Sequence, residues 1–111
     1  MTAEPAAGVR ADFAKVVNMT AAELEKWLTT AESKAVGQKS SAHAESVGHD
    51  SGRRIVKLLR KKTAPTEADE AHMSKVVGYV HRHLAQRPAG DIEATAWRYS
   101  LMNWGHDPLK K

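Results

Sequence analysis

The sequence predicts an all-α protein, a compact bundle of about five helices with one long polar loop at about 33–49. Three observations predict it. Apolar residues recur at helical spacing in separate segments, no segment alternates as a strand does, and helix start signals stand just before the periodic stretches. With 111 residues the chain has room for one domain with a modest core. Residues 1–9 are small and weakly hydrophobic, with an early Pro5, and read as a disordered lead-in to a single helical domain over 10–111.

The elements follow in order. Phe13, Val16 and Val17 are spaced for a short helix over about 10–18. Thr20 followed by Glu23 fits a capping box, in which each side chain satisfies the other residue's free backbone N–H, and Met19 and Leu24 flank it as a hydrophobic staple. The helix this opens, over about 21–33, puts Leu24, Trp27, Leu28 and Ala31 on one face. The loop at about 33–49 is rich in Gly, Ser and charged residues, with Val36 and Val47 almost its only apolar side chains. A loop of that length in a small domain is usually functional or mobile. Asp50 or Ser51 then caps a basic helix over about 52–62, which Thr63, Ala64 and Pro65 stop. Thr66 with Asp69 opens the longest helix, over about 67–86, with Met73, Val76, Val77, Val80 and Leu84 as its core stripe. Arg82 and Arg87 suit the negative end of its dipole, and Pro88 and Gly90 end it. Asp91 caps a last helix over about 92–103, along which Trp97, Leu101 and Trp104 recur at i, i+4 and i+7. Gly105 suits a left-handed C-terminal position, and Pro108 prevents continuation.

Charge is concentrated in one place. Residues 53–62 hold Arg53, Arg54, Lys57, Arg60, Lys61 and Lys62 and no acidic residue, more positive charge than the net +4 of the whole chain. Projected at 100° per residue, Ile55, Val56, Leu58 and Leu59 occupy an arc of about 160°, and Arg53, Arg54, Lys57, Arg60 and Lys61 an opposed arc of about 120°. Arg53, Lys57 and Lys61 form an i, i+4, i+8 ridge about 12 Å long. Like charges along such a ridge repel by a few tenths of a kcal/mol per pair, so a helix with a purely structural role would usually mix signs. The expected partner is an anion, DNA or another polyanion first. Three to five phosphate contacts would give a log–log salt slope of about −3 to −4.5. An acidic protein partner, or a second copy of the chain, is the alternative, with the 33–49 loop folding over it; a merely solvated face is the bland reading. The stretch from Gly48 to Arg54 also offers free N–H groups and two arginines to one phosphate, although Asp50 opposes that.

Other functional classes find little support. There is no cysteine, so no disulfide, thiolate zinc site or thiol chemistry is available, and a reducing cytoplasm is the simplest location. No stretch resembles a membrane span or a signal peptide. No nucleophile elbow, Walker loop or HExxH spacing occurs, so no enzyme activity, cofactor or metal is expected. His81 and His83 fall on different sides of their helix, whereas His72, Tyr79 and His83 share a flank beside the core stripe; all read as structural or surface residues. His43 and His49 fall in the expected loop. Of the C-terminal aromatics, Trp97 and Trp104 are expected in the core, and Tyr99 and Arg98 off the stripe are the more plausible contacts.

Four segments together resemble a known family: Val17-Asn18-Met19-Thr20; Gly52-Arg53-Arg54-Ile55-Val56; Val77-Gly78-Tyr79-Val80-His81-Arg82-His83; and Trp97-Arg98-Tyr99-Ser100-Leu101-Met102-Asn103-Trp104-Gly105-His106-Asp107-Pro108-Leu109. They resemble the domain of unknown function 3140 family of small bacterial and fungal all-helical proteins, over about residues 12–110. The resemblance implies an intact member. It brings no established activity and no catalytic or metal-binding residue, and some members are labelled DNA-binding.

Overall fold

Two capping boxes set the frame. The Thr20 hydroxyl accepts from the Glu23 N–H while the Glu23 carboxylate accepts from the Thr20 N–H, and Thr66 and Asp69 repeat the arrangement. In the computed structural model, which describes residues 5–36 and 47–110, the described residues form six helices and no strand. They are α1 Pro5–Val16, α2 Ala21–Leu28, α3 Ala31–Ala35, α4 Val47–Arg60, α5 Glu67–Leu84 and α6 Ala96–Asn103. The all-α class is therefore correct.

Several boundaries differ from expectation. Residues 5–9, expected in the unstructured lead-in, open α1; Pro5 takes the first helical position, where its missing N–H costs nothing. Residues 1–4 lie outside the described residues. The helix expected over about 21–33 is two helices. Thr29 and Thr30 turn their hydroxyls back onto the Lys26 and Trp27 carbonyls, and Thr30 also caps α3 by accepting from the Ser33 N–H. Of the expected loop, residues 33–36 belong to α3 and its C-cap and 47–49 to α4, while 37–46 lie outside the described residues. Asp50 and Ser51 sit inside α4, not at a cap, and α4 ends at Arg60, not Lys62. The last helix starts at Ala96 because Thr95 caps it; Asp91 closes a short turn instead, accepting from the Glu93 N–H. Gly105, at φ +82°, adopts the left-handed conformation expected of it.

The helices pack mainly as two pairs, α1 on α5 and α2 on α4, and α6 touches α2, α3, α4 and α5. Phe13, Val16, Leu24, Leu28, Ile55, Val76, Val80, Leu101 and Trp104 are among the side chains of the shared core. Two glycines bring α4 close to its neighbours. A Cβ on Gly52 would lie 2.6 Å from the Asn103 carbonyl oxygen, and one on Gly48 3.0 Å from Trp104 Nε1. A residue larger than glycine at 52 would push α4 off α6.

The C-terminal segment is tied back to the α1–α2 junction. The Asn18 side chain donates to the Asp107 carbonyl and accepts from its N–H; His106 Nδ1 donates to the Val16 carbonyl; and Met19 N–H donates to the Gly105 carbonyl. Arg98 grips both Asp107 carboxylate oxygens at 3.1 Å and also donates to the Glu93 carbonyl. Tyr99 packs on Trp27 with ring centroids 5.3 Å apart. Arg98 and Tyr99, expected to face a partner, are therefore occupied within the fold.

Candidate functional site

The orientation of α4 follows from what it buries. Ile55 and Val56 enter the core, and Gly48, Ser51 and Gly52 form the close seam beside them. The opposite side of the helix must then face water, and Arg53, Arg54, Lys57, Arg60, Lys61 and Lys62 are all exposed. The apolar arc is only partly buried: Leu58 is half-buried and packs against the core, and Leu59 is 39% exposed.

Three carboxylates reach this face. Asp50 pairs with Arg54 at 3.1 Å and with Arg53 at 3.5 Å, Glu25 on α2 pairs with Arg60 at 3.0 Å, and Asp69 at the start of α5 pairs with Lys61 at 2.5 Å. Asp50 thus stands where the sequence suggested a phosphate beside Arg53 and Arg54. Lys57 and Lys62 make no ion pair among the described residues. The Lys61 contact, with the Thr66 N–H, holds the Asp69 carboxyl below the usual carboxylate range.

Depressions flank the cationic ridge on both sides. Between α2 and α4 a groove of about 730 Å³ has Leu28 and Val56 on its floor and Arg53, Lys57, Arg60 and Lys61 along its rim. His49 stands at one end and donates through Nε2 to the Leu28 carbonyl, so it belongs to α4 and not to a free loop. Between α4 and α5 a cleft of about 310 Å³ is lined by Arg54, Lys57, Lys61, Asp69 and His72. Lys57 and Lys61 border both depressions and form the crest between them.

The flank of His72, Tyr79 and His83 is a column of stacked rings. His72 lies against Trp104 at 6.4 Å between centroids, Trp104 against Tyr79 at 4.3 Å, Tyr79 against His83 at 5.2 Å and His83 against Trp97 at 5.9 Å. Arg87 covers Trp97, with its guanidinium carbon 5.5 Å from the ring centre. His72 Nε2 meets the Ser51 hydroxyl, His83 Nε2 donates to the Trp97 carbonyl, and Trp97 Nε1 donates to the His83 carbonyl. Burial, then the positive charges of Arg54 and Lys75, lowers the pKa of His72; burial lowers that of His83. Among the described residues no group of three His, Asp or Glu side chains is placed to hold a metal ion. His43 lies outside the described residues.

Two further exposed cations were not among the contacts expected from the sequence, which assigned Arg82 only to the helix dipole. Lys75 and Arg82 lie on α5 and make no ion pair among the described residues. Residues 71–90 contain no Asp or Glu, a signal overshadowed by the denser run at 53–62.

Among the described residues no helix is long and apolar enough to cross a membrane. A family model described as a protein of unknown function (DUF3140) matches residues 12–102. No curated protein and no solved structure matches the chain.

Proposed function

This chain belongs to the DUF3140 family of proteins of unknown function, and we propose that it binds nucleic acid by gripping phosphates with the cationic face of α4 and the two lysines that follow it. The observation that carries the reading is a pair of exposed lysines in that run. Among the described residues Lys57, on the helix, and Lys62, two positions past its end, are exposed without a carboxylate partner, while Ile55 and Val56 hold the helix from behind. Arg54, Arg60 and Lys61 contribute less, because an anion must first displace Asp50, Glu25 and Asp69. The effective number of phosphate contacts from this helix falls to about two or three, and its expected log–log salt slope to about −2 to −3.

Contact is with the backbone and not with stacked bases. Proteins that take up single strands present aromatic faces to the bases. Here Trp27 and Tyr99 pack on each other, and Tyr79, Trp97 and Trp104 lie within the column. Duplex of unrelated sequences is therefore bound with comparable affinity. Anisotropy of a labelled random duplex, titrated with salt upward from about 50 mM, tests this. The Lys57→Gln/Lys62→Gln variant is expected to weaken binding by about ten-fold or more and to flatten the slope by about 2. Undetectable binding of the natural chain at about 50 mM salt sinks the reading. The apolar floor of the α2–α4 groove, Leu28 and Val56, supports a second reading, an acidic peptide that buries one apolar side chain there. Saturable binding of such a peptide by a chain that ignores duplex would favour it.

A further inference from the structure

We propose that the phosphate track does not end on α4 but continues along α5, where Lys75 and Arg82 bind the same backbone. The inference rests on the nucleic-acid reading and extends its site to a second helix. Positions 69 and 72 of α5 line the cleft beside Arg54 and Lys57, and positions 75, 79 and 82 line a second cleft of about 220 Å³. These positions recur at intervals of three or four, so they follow one flank of the helix. The two depressions therefore succeed one another along α5, and the cations that border them form a band from Lys57 through Arg54 to Lys75 and Arg82. Arg54 and Lys75 are close enough to His72 for both charges to disfavour its protonation, which joins the two parts of the band.

The α5 cations are better placed than most on α4. Neither has an acidic residue within a helical turn, since 71–90 is free of Asp and Glu, and among the described residues neither has a carboxylate to lose before a phosphate can approach. They are seven residues apart, about 10 Å along the helix axis. Tyr79 stands between them along the helix, stacked on Trp104 and on His83. The second cleft therefore presents the charge of Lys75 and Arg82, with the Tyr79 and Ser100 hydroxyls bonded to each other at 2.5 Å on its wall.

The number of contacts makes the proposal measurable. If α4 acts alone the natural chain shows a slope of about −2 to −3; with Lys75 and Arg82 added it steepens to about −4 or beyond. Lys75→Gln/Arg82→Gln is expected to weaken binding of the random duplex by at least about ten-fold near 0.1 M salt and to flatten the slope by about 2. A control variant, Lys26→Gln/Lys34→Gln, removes the same charge from α2 and α3 and should leave affinity within about two-fold. Circular dichroism melting of each variant verifies the fold; a Lys75→Gln/Arg82→Gln variant that fails to fold is replaced by Lys75→Gln alone, expected to flatten the slope by about 1. If binding persists with an unchanged slope, or if the control weakens it equally, the α5 track is overturned while the α4 reading stands. If the natural chain does not bind the duplex at all, both fall.

Discussion

Asn103 is fully buried and joins three helices through one carboxamide. Its Oδ1 accepts from Trp27 Nε1 at 2.7 Å and from the Ser33 hydroxyl at 2.5 Å, and its Nδ2 donates to the Ser33 carbonyl at 3.0 Å. Asn103→Ala removes those partners at once and leaves the Ser33 hydroxyl without its acceptor in a site closed to water. Buried polar groups left unpaired cost about 1–3 kcal/mol each, so a loss of about 2–4 kcal/mol is expected in urea unfolding. A loss below about 0.5 kcal/mol would mean that water replaces the carboxamide. The same residue explains what the recognisable stretch near the C-terminus is for. Arg98 binds Asp107, Asn103 binds Trp27 and Ser33, and His106 and Asp107 close on Val16 and Asn18. The C-terminal stretch that carries the family resemblance is thus occupied in holding the fold together. Periodicity places Asn103 beside the apolar stripe but says nothing of its partners, because Ser33 lies 70 positions away.

Helix existence was legible where start signals and apolar spacing agree, as at Thr20, Thr66 and the Met73, Val76, Val80 stripe. It was illegible where small residues carry the packing. The first turns of α4 hold Gly48, Ser51 and Gly52, which look like loop composition yet are buried, the glycines against Asn103, Trp104 and Leu28 and Ser51 beside His72 of α5. Substituting alanine for glycine in a helix ordinarily stabilises by about 1 kcal/mol. Gly8→Ala in α1, with nothing within 4 Å of the new methyl, is expected to gain about 0.5–1 kcal/mol. Gly52→Ala meets the Asn103 backbone at 2.6 Å and Leu28 Cδ2 at 2.7 Å, and is expected to lose about 2–4 kcal/mol. Opposite signs for one chemical change, read from paired thermal melts, distinguish close packing from helix propensity. If both variants are stabilised, α4 moves away from α6 with little loss. Hydroxyl caps were the other blind spot: Thr30 and Thr95 set boundaries within stretches whose apolar spacing runs on past them.

At the scale of the molecule, charge was visible in the sequence but its neutralisation was not. Asp50 is three and four positions from its arginines and could be read locally, whereas Glu25 reaches Arg60 across 35 positions. The ring column, likewise assembled from α5 and the C-terminal segment with Ser51 of α4 at one end, holds two histidines whose burial couples the fold to mild acid. In the unfolded chain His72 and His83 titrate near the ordinary imidazole value of 6.5; in the fold burial holds both lower, helped at His72 by Arg54 and Lys75 and opposed by the Ser51 contact and Asp50. As pH falls below about 6.5 the unfolded chain takes up protons first, so their contribution is full above that pH and declines as pH drops through the lowered native values. Asp107 adds a second step. Its burial alone would raise the pKa, but Arg98 and the Leu109 N–H outweigh that and hold it below 3.8, so its contribution is lost only as pH falls below that value. Urea midpoints measured from about pH 8 down to about pH 3 are expected to fall in these two windows. In the His72→Gln/His83→Gln variant the upper decline should be largely absent and the lower one retained. A variant whose midpoints still fall between about pH 6.5 and 5 as steeply as those of the natural chain would place the acid sensitivity outside the ring column.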